Sequence, residues 1–320
     1  MPVIREPKQV IVEVKAAGIC GSDMATYLGT STRTFPLVPG HEFAGEVYAV
    51  GSGVTKTAPG DRVVVEPITY CGTCYACKHG RPNICRTVNN AGSHRDGGMQ
   101  EFFLTTEDKL FKMPDSMTYR QGALVEPFTI GAQISMRARI SPGDVVLVHG
   151  AGPIGFTIMK VAKKNGAVCV VSEPSSYRRQ MAAQHGADYM IDPMTEDIPA
   201  RMDEITQGRG PDVVVDTAGL PFAPEQAIEI LAPGGRFCNI CFSETELPIN
   251  VPLMIEKRIT IVGSRLETYQ FQNVIDHYRE EIRESESMVT NVFPLEKGSD
   301  AFDLFGSRDE KTCKILLEME

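Results

Sequence analysis

The chain contains 320 residues, of which 42% are hydrophobic and 23% charged, a composition typical of globular proteins with room for two hydrophobic cores. Its formal net charge of −9 argues against nucleic acid as the main partner. No apolar run reaches the roughly 18 residues that a membrane span needs, and the start, MPVIREPKQV, lacks the apolar core of a signal peptide. The sequence therefore predicts a cytoplasmic protein that acts on small molecules and has no membrane partner.

The first part of the chain, residues 10–112, is rich in short β-like runs that are separated by glycine, proline and aspartate. These runs are VIVEVKAAG, FAGEVYAVG, DRVVVEP and MQEFFLT. Such punctuation indicates an irregular, mostly antiparallel β region.

Two motifs in this β region carry possible metal ligands. Cys20 lies in GICGSD after a predicted strand, and His41 precedes Glu42 in PGHEFAG. Much further along the chain, LVEPF places Glu126 where two domains are expected to meet. Thiolate, imidazole and carboxylate ligands suit zinc, and three protein ligands plus a water are the pattern of a catalytic zinc. Taken singly, a buried free cysteine, a capping histidine and a surface glutamate are each common, so both interpretations stay open at this point.

The strongest single motif is the run CGTCYACKHGRPNIC, whose four cysteines are separated by two, two and seven residues. They are Cys71, Cys74, Cys77 and Cys85. Four thiolates on short loops can close a tetrahedral shell around zinc and leave no position for chemistry. The spacing favours a structural zinc in an intracellular protein over the two alternatives, a disulfide pair or an iron–sulfur cluster.

From about residue 125 the pattern changes to a repeated order of strand, glycine turn and helix. Apolar strands are predicted at 145–149, 168–172, 189–191, 212–216, 236–241 and 259–263, with helices between the first five. This alternation predicts an α/β domain built on a doubly wound parallel sheet with helices on both faces. Beyond about residue 268 the pattern stops, and we expect this tail to return to the first domain.

A glycine motif, GAGPIG, directly follows the first of these strands and precedes the helix that is expected to start near Pro153. In such a unit Gly150 permits the tight turn, Gly152 lets a pyrophosphate approach the backbone, and Gly155 lets helix and strand pack closely. The pyrophosphate would rest on the positive end of the helix. The candidate cofactor-binding residues of this motif are Gly150, Gly152, Pro153, Ile154 and Gly155.

Glu173 closes the next predicted strand, 23 residues after Gly150. An acid at this position accepts hydrogen bonds from ribose hydroxyls and repels a 2′-phosphate, which predicts NAD rather than NADP. Arg178 and Arg179 lie just downstream and would favour NADP if they faced the ribose. A solvated helix face is the simpler interpretation of both arginines, and Arg178 is kept as a candidate cofactor contact.

Seven motifs follow one another in the order of the zinc-dependent medium-chain alcohol dehydrogenases, which the chain resembles from about Val10 to its end. They are GICGSD, PGHEFAGEV, GDRVVVEP, CGTCYACKHGRPNIC, DGGMQEF, LVEPF and GAGPIG. The chain is most similar to the polyol and sugar-acid branch, which includes sorbitol (iditol), galactitol, L-threonine, butanediol and L-galactonate dehydrogenases. Glu126 stands where ethanol-type enzymes have cysteine, and Arg265 in VGSR stands where polyol dehydrogenases have a substrate-facing arginine.

The resemblance implies a GroES-like, mostly β catalytic domain over 1–124, an NAD-binding Rossmann domain over 125–266, and a return to the catalytic domain over 267–320. It also implies two zinc ions per chain, NAD as the cofactor, and a homodimer or homotetramer.

The resemblance implies a ligand set for the catalytic zinc. Cys20 and His41 would bind the ion, and Glu42 and Glu126 would share the remaining position, one directly and one through water. Asp23 would orient His41 through a hydrogen bond.

The remaining implied roles concern the substrate. Ser22 would take the proton of the substrate hydroxyl, and Arg265 would hydrogen-bond a hydroxyl or carboxylate of the substrate, although a surface salt bridge would also explain this arginine. Many relatives relay the proton through a histidine where this chain has Ala25. The relay is therefore expected to run through water, the cofactor ribose, or Thr26 or Tyr27.

The expected activity is the oxidation of a secondary alcohol of a polyol or sugar acid to the ketone. An L-threonine or butanediol-type dehydrogenase is the alternative within the family. Relatives carry about twenty more residues before the strand that matches Val10–Val14, and a missing edge strand leaves backbone groups unpaired. An inactive, shortened family member that serves as a binding or structural protein is therefore the third hypothesis.

Overall fold

The computed structural model describes residues 1–30, 33–241, 249–307 and 309–319. The chain divides into two compact units, one formed by Met1–Thr129 with Thr268–Glu320 and the other by Ile130–Glu267. The C-terminal tail thus belongs to the same unit as the N-terminal part. Among the described residues, no helix combines the length and the apolar character that a membrane span requires.

The described strands are, in chain order, β1 (Gln9–Gly18), β2 (Glu42–Val50), β3 (Arg62–Val65), β4 (Ile68–Thr69), β5 (Asn89–Asn90), β6 (Phe102–Thr106), β7 (Leu110–Lys112), β8 (Val145–His149), β9 (Val168–Ser172), β10 (Tyr189–Ile191), β11 (Val213–Asp216), β12 (Arg236–Asn239), β13 (Thr260–Gly263), β14 (Val289–Pro294) and β15 (Lys314–Glu318).

The described helices are α1 (Gly21–Tyr27), α2 (Tyr75–Lys78), α3 (Tyr119–Ala123), α4 (Val125–Ala138), α5 (Pro153–Lys164), α6 (Ser176–Gln184), α7 (Ile198–Thr206), α8 (Ala223–Ile230), α9 (Val251–Glu256), α10 (Gln270–His277), α11 (Arg279–Glu284) and α12 (Gly298–Gly306).

The sheet of the first unit has the strand order β14-β15-β1-β2-β3-β7, and β6 also pairs with β1. Only the β14–β15 pair in this sheet is parallel, as the β-like runs of the sequence predict. β1 has partners on both sides, because β2 follows one edge while β6 and β15 share the other. The side chains of Val10, Val12 and Val14 are fully buried in the core of this unit, where Phe43 and Phe103 pack edge to face.

The sheet of the second unit is parallel throughout, with the strand order β10-β9-β8-β11-β12-β13. This confirms the doubly wound parallel sheet. Three predicted strands differ from the observed ones at one boundary. The predicted strands 212–216 and 259–263 begin one residue before β11 and β13, and the predicted strand 236–241 ends two residues after β12, as is common where the boundary is read from a pattern alone.

A short helix that the apolar pattern does not reveal, α9, precedes the last strand. Its N-cap is Asn250, whose side chain accepts a hydrogen bond of 3.2 Å from the backbone N–H of Leu253, and proline occupies the first turn. The capping signal was present in the sequence, but the helix is too short to show a 3.6-residue period.

Candidate metal centres and nucleotide-binding turn

Three of the predicted catalytic ligands meet in the first unit. Cys20 is the N-cap residue of α1, and Glu42 begins β2 directly after His41. The ligand atoms of Cys20, His41 and Glu42 all lie within 4.8 Å of one another. A thiol, an imidazole and a carboxylate in so small a space, two of them buried, form a donor set that fits Zn²⁺.

Asp23 links the two segments that carry these ligands. It is fully buried, and its Oδ2 accepts a hydrogen bond of 3.0 Å from the backbone N–H of Cys20. Its Oδ1 accepts a long bond of 3.4 Å from the N–H of Gly40 and lies 3.6 Å from Nδ1 of His41. Asp23 is thus in a position to orient the imidazole, while its role in catalysis stays a prediction.

The charges of His41 and Asp23 shift the pKa of each other. Burial alone would lower the pKa of His41, but the facing charges of Asp23 and Cys20 outweigh it and hold the pKa well above the usual range. Burial likewise opposes ionisation of Asp23, and the imidazole of His41 overcomes it, so that the pKa of this carboxyl is lowered.

Glu126 lies in the first turn of α4 and is 5% exposed. Burial raises the pKa of its carboxyl to about 7, with the charge of His41 opposing and that of Glu42 adding to the effect. Its carboxylate is not one of the three grouped ligand atoms, yet it lies close enough to His41 and Glu42 to feel their charges. The structure therefore brings Glu126 to the neighbourhood of the centre and leaves its ligation a prediction.

Sequence reasoning missed Lys314, which contributes a cation to this site. The lysine begins β15, is 1% exposed, and its ammonium group contacts the carboxylate of Glu42 and donates to the carbonyl of Ile19 at 3.0 Å. Burial opposes the charge of this ammonium, but the carboxylate of Glu42 raises the pKa of Lys314 and keeps it charged. A single lysine inside the apolar run CKILLE was the available signal.

The proposed proton-handling residues lie on α1. Ser22 is exposed on the first turn of this helix, two residues after the cysteine. Tyr27 stacks on Phe302 with ring centroids 4.8 Å apart, and its hydroxyl donates to Oδ1 of Asp303 at 3.1 Å. The described contacts of Tyr27 are thus with α12 and not with the ligand group. Thr26 is buried and its hydroxyl contacts the guanidinium of Arg33.

The four clustered cysteines form a second candidate metal centre, also in the first unit. All their Sγ atoms lie within 4.8 Å of one another, with 3.5 Å between Cys74 and Cys77 and between Cys71 and Cys85. These separations exceed the length of a disulfide bond, about 2.05 Å, and all four cysteines are free. The backbone N–H of Cys74 points at Sγ of Cys71 from 3.3 Å, as expected where N–H groups stabilise a thiolate. The four sulfurs fit a closed Zn²⁺ shell.

The glycine turn of the second unit has the form that dinucleotide phosphates need. Gly150 has a positive φ of 95°, and a Cβ atom at Gly155 would overlap the carbonyl oxygen of Gly150. A Cβ atom at Gly152 would meet nothing within 4 Å, and this residue caps α5 without a side-chain hydrogen bond. Pro153 has no N–H group, so the first free N–H group of α5 belongs to Ile154, and the N-terminus of a helix is where an anion is stabilised.

Glu173 contacts this glycine turn directly. Its carboxylate is 4% exposed and accepts hydrogen bonds from the N–H groups of Ala151, at 2.7 Å, and Ser175, at 2.9 Å. The side chain thus ties the turn to the start of α6. A carboxylate has about four acceptor sites, so two are left for a ribose, and that contact stays a prediction.

The two arginines after Glu173 differ from the solvated face that the sequence suggested. Arg179 donates to Oδ2 of Asp192 at 2.8 Å and to the carbonyl of Glu173 at 2.6 Å, so it is held in the structure of the unit. Arg178 is half-buried in the first turn of α6, and its backbone N–H donates to the hydroxyl of Ser175. Arg265 is exposed on the segment that follows β13.

Comparisons with known proteins agree with both units. Residues 6–115 match the family model of the alcohol dehydrogenase GroES-like domain, and residues 153–280 match that of the zinc-binding dehydrogenases. The chain is 34% identical to the starvation-sensing protein RspB of Escherichia coli over 97% of this chain and 91% of that protein. It is 34% identical to a sorbitol dehydrogenase of Bacillus subtilis over 92% of this chain and 86% of that protein.

The fold is also similar to a solved structure that contains a nicotinamide cofactor. The crystal structure of an alcohol dehydrogenase, RspB of Escherichia coli, in complex with NADH superimposes with a TM-score of 0.91 at 34% identity, over 98% of this chain and 94% of that chain.

Proposed function

Because this chain belongs to the family of zinc-type alcohol and polyol dehydrogenases, we propose that it oxidises a secondary alcohol of a polyol or sugar acid to the ketone and transfers the hydride to NAD. The observation that carries this proposal is the close grouping of the thiol of Cys20, the imidazole of His41 and the carboxylate of Glu42, with Glu126 beside them. Donors of this mix suit a catalytic zinc, which keeps three protein ligands and one open position.

The catalytic zinc would be held by Cys20 and His41, with Glu42 and Glu126 sharing the remaining protein position. When bound, it supplies a Lewis acid that makes the substrate hydroxyl easier to deprotonate. Asp23 keeps the imidazole of His41 oriented toward the thiol of Cys20 through the contacts described above. The four-cysteine centre would hold a second zinc that stabilises its loop and takes no part in chemistry.

Ser22 would accept the proton of the substrate hydroxyl. It is exposed, so the proton has a direct way to solvent. The hydroxyl groups of Thr26 and Tyr27 are engaged by Arg33 and Asp303, and Ala25 has no group to offer. A relay from Ser22 to water is therefore the simplest route in this chain.

The glycine turn would hold the pyrophosphate of the cofactor on the N-terminus of α5, and Glu173 would select NAD over NADP. A carboxylate beside the ribose repels a 2′-phosphate and accepts from the 2′-hydroxyl. The pairing of Arg179 with Asp192 supports this preference, because it occupies a cation that could otherwise attract the phosphate.

Arg265 would bind a hydroxyl or carboxylate of the substrate. Its planar guanidinium can hydrogen-bond two oxygen atoms at once, which a polyol or sugar acid offers and an apolar alcohol does not. A vicinal hydroxyl or carboxylate would satisfy it and fix which carbon reacts. The similarity to a sorbitol dehydrogenase supports the polyol class.

We further propose a homodimer or homotetramer in the cytoplasm. β13 ends the parallel sheet of the second unit, and an open edge favours pairing with another strand. The large exposed apolar side chains of Val251, Ile255 and Ile261 lie on this strand and the preceding helix, which supports an interface there. The nine cysteines are all free, as in a reducing compartment.

A spectrophotometric screen of the zinc-loaded protein with NAD and NADP tests the activity. Polyols, aldonates, L-threonine and 2-butanol are offered, and we expect a polyol or aldonate to be oxidised with NAD. Arg265→Ala should raise KM for that substrate about 10- to 100-fold, in line with about 1.5–3 kcal/mol for a charged hydrogen bond. Arg265→Lys is the control that keeps the charge. Equal losses of activity with the polyol and with 2-butanol in Arg265→Ala would show that Arg265 has a structural role. A parent protein that oxidises L-threonine in preference to polyols would replace the proposed substrate class by L-threonine.

A further inference from the structure

We propose that the loop formed by residues 89–96 recognises the anionic end of an open-chain hydroxylated substrate, and that Arg95 binds the carboxylate or phosphate group at that end. This inference rests on the proposed function and defines the substrate class of the same site more closely. It concerns the first unit alone, which contains both this loop and the three grouped zinc ligands.

The 89–96 loop is fixed against the residue that precedes the ligand His41. A Cβ atom at Gly92 would lie only 2.6 Å from the backbone nitrogen of Gly40, so glycine is required for this close approach. Directly after the loop, the N–H group of Gly98 donates to the carbonyl of Gly40 at 2.9 Å. On the other side, Nη1 of Arg33 donates to the carbonyl of Gly92 at 3.1 Å. The loop is therefore held beside the segment that carries a ligand of the candidate zinc centre.

The guanidinium of Arg95 is half-buried and has no counter-ion among the described residues. Its Nη2 donates to the carbonyl of Pro67 at 3.2 Å, and its central carbon lies 5.1 Å from the centre of the Phe103 ring. Burial alone lowers the pKa of Arg95, with no carboxylate to oppose the effect. The neighbouring Asp96 is engaged elsewhere, because its Oδ1 accepts from the N–H group of Val38 at 2.9 Å. An anionic ligand would supply the missing counter-ion.

Three buried polar atoms of this loop have no hydrogen-bond partner in the part of the chain that the structure describes. They are Oδ1 of Asn89, Oδ1 of Asn90 and Nε of Arg95, and the side chain of Asn90 belongs to a residue that is only 8% exposed. Buried polar atoms in proteins are nearly always paired, so an unpaired group indicates a site for a water or a ligand. A hydroxyl group can donate to an amide oxygen, directly or through one water. Amide oxygens beside a cation therefore fit a ligand that carries both hydroxyl groups and a negative charge.

His94 provides a further hydrogen-bond donor on the same loop. Its Nδ1 accepts a hydrogen bond of 3.0 Å from the N–H group of Asn90, so the neutral ring carries its proton on Nε2. The residue is exposed, which leaves Nε2 accessible to a ligand. An imidazole N–H and a guanidinium are donors that suit a carboxylate or a phosphate group, and a neutral polyol would leave the charge of Arg95 without a partner.

An anion bound by this loop would also determine which carbon of the substrate reacts. The charged end would be held at Arg95, while a carbinol of the same chain would lie at the metal. The distance between the two positions then selects one hydroxyl along the chain, as substrate-positioning groups do in other enzymes.

Three six-carbon compounds test this inference in the zinc-loaded protein. Sorbitol is neutral, gluconate carries a carboxylate, and sorbitol 6-phosphate carries a phosphate. Calorimetric titration of the protein with bound NADH measures the dissociation constants, and initial rates with NAD measure KM and kcat. Arg95→Met removes the positive charge, and Asn90→Asp keeps the shape of the side chain while it adds a negative charge. Arg5→Met, at an exposed arginine of the same unit, is the matched control.

We expect the parent protein to bind gluconate or sorbitol 6-phosphate at least about 10-fold more tightly than sorbitol, and the preferred compound identifies the anionic group. Arg95→Met and Asn90→Asp should each raise the Kd and KM of that compound about 10- to 100-fold and leave kcat and the constants for sorbitol unchanged. Arg5→Met should behave like the parent. A parent protein that binds sorbitol as tightly as both anions, or an Arg95→Met variant that keeps the preference or weakens all three compounds equally, would overturn the proposal.

If Arg95→Met does not fold, Asn90→Asp alone decides. Loss of the preference for the anion in this variant supports the proposal, and a parental preference overturns it. The calorimetric measurement also separates this inference from the proposed function. A parent protein that binds the anion through Arg95 but oxidises none of the three compounds would refute the polyol or sugar-acid activity and leave the anion site in place.

Discussion

Gly18 provides the space in which the carboxylate of Glu42 lies. A Cβ atom at Gly18 would overlap Oε2 of Glu42 and would lie 2.9 Å from Cε of Lys314. The φ angle of this glycine is not in the left-handed region, so the requirement is for space and not for backbone conformation. A small residue at one end of β1 thereby permits the buried ion pair beside the candidate zinc centre.

The substitution Gly18→Ala should therefore separate Glu42 from Lys314. We expect it to lower the free energy of unfolding by about 1–3 kcal/mol, as overpacking does in other cores, and to change the zinc-release rate. Thermal unfolding and zinc analysis measure the two effects. Gly21→Ala is the matched control, because a Cβ atom there would meet nothing within 4 Å. Equal behaviour of the two variants would contradict the role given to Gly18.

Purified protein should contain about two zinc ions per chain, one in each candidate centre. The ion held by the four cysteines should resist mild chelation, because its binding is tied to the folding of that loop, and the other ion should leave first. Cys77→Ser should reduce the content to about one ion and lower the unfolding temperature. Elemental analysis that finds iron with acid-labile sulfide, or no metal, would refute the prediction.

The substitution Glu173→Ser should weaken NAD binding and let NADP compete. The loss of a charged hydrogen bond corresponds to about 1.5–3 kcal/mol, and the 2′-phosphate would no longer meet a negative charge. Because the chain contains no tryptophan, calorimetric titration is the suitable measurement. Glu173 also holds the N–H groups of Ala151 and Ser175, so an equal loss for both cofactors would assign it to the turn alone. A parent protein that prefers NADP would refute the assignment outright.

His149 should make the stability depend on pH between about 6.5 and 4. It is fully buried, and neither ring nitrogen has a hydrogen-bond partner among the described residues. Burial lowers the pKa of this imidazole to about 4. Between pH 6.5 and pH 4 the imidazole of the unfolded chain binds a proton and that of the folded chain does not. The contribution of His149 to the free energy of unfolding is therefore complete at pH 7 and is lost as the pH falls through this interval.

Replacing this residue by leucine, His149→Leu, should remove up to about 3 kcal/mol of that dependence, the equivalent of the pKa difference. Urea unfolding of the parent and the variant at pH 7, 6, 5 and 4.5 measures the difference in pH dependence. Both proteins contain the same zinc sites, so any effect of pH on the zinc sites cancels in the comparison. The exposed His277 provides the control His277→Gln, which should follow the parent. A variant at position 149 with the parental pH slope would show that the buried imidazole does not titrate in this way.

The assembly should depend on the edge strand β13. Ile261 is 41% exposed on this strand, and Ile261→Lys should place charges where two edges meet and dissociate the assembly. Light scattering should then report the mass of one chain, 35.1 kDa, in place of a multiple of it. Met194→Lys, at a residue that is 76% exposed away from this strand, is the control. A parent protein that is already monomeric at micromolar concentration would contradict the prediction.

The parallel sheet was predictable because its central strands β8, β9 and β11 are buried and appear as continuous apolar runs, with predicted helices between them. The cysteine run and the glycine turn were predictable because their functional atoms lie close together in the chain. Lys314 was not, since 272 residues separate it from Glu42 and only the fold brings them together. The contacts of Glu173 with Ala151 and Ser175 were also hidden, because a sequence pattern gives a position and not the direction of a carboxylate.

The discontinuity of the first unit has a consequence for how the protein is made. The ribosome releases Cys20 and His41 early, then the whole uninterrupted second unit, and only then β15 with Lys314. Domains fold as their segments emerge, so the second unit has the time to fold while the first is still incomplete. Until the last strand arrives, Glu42 has no counter-ion and β1 lacks part of one edge. The nascent metal centre is thus completed by one of the last segments to be synthesised.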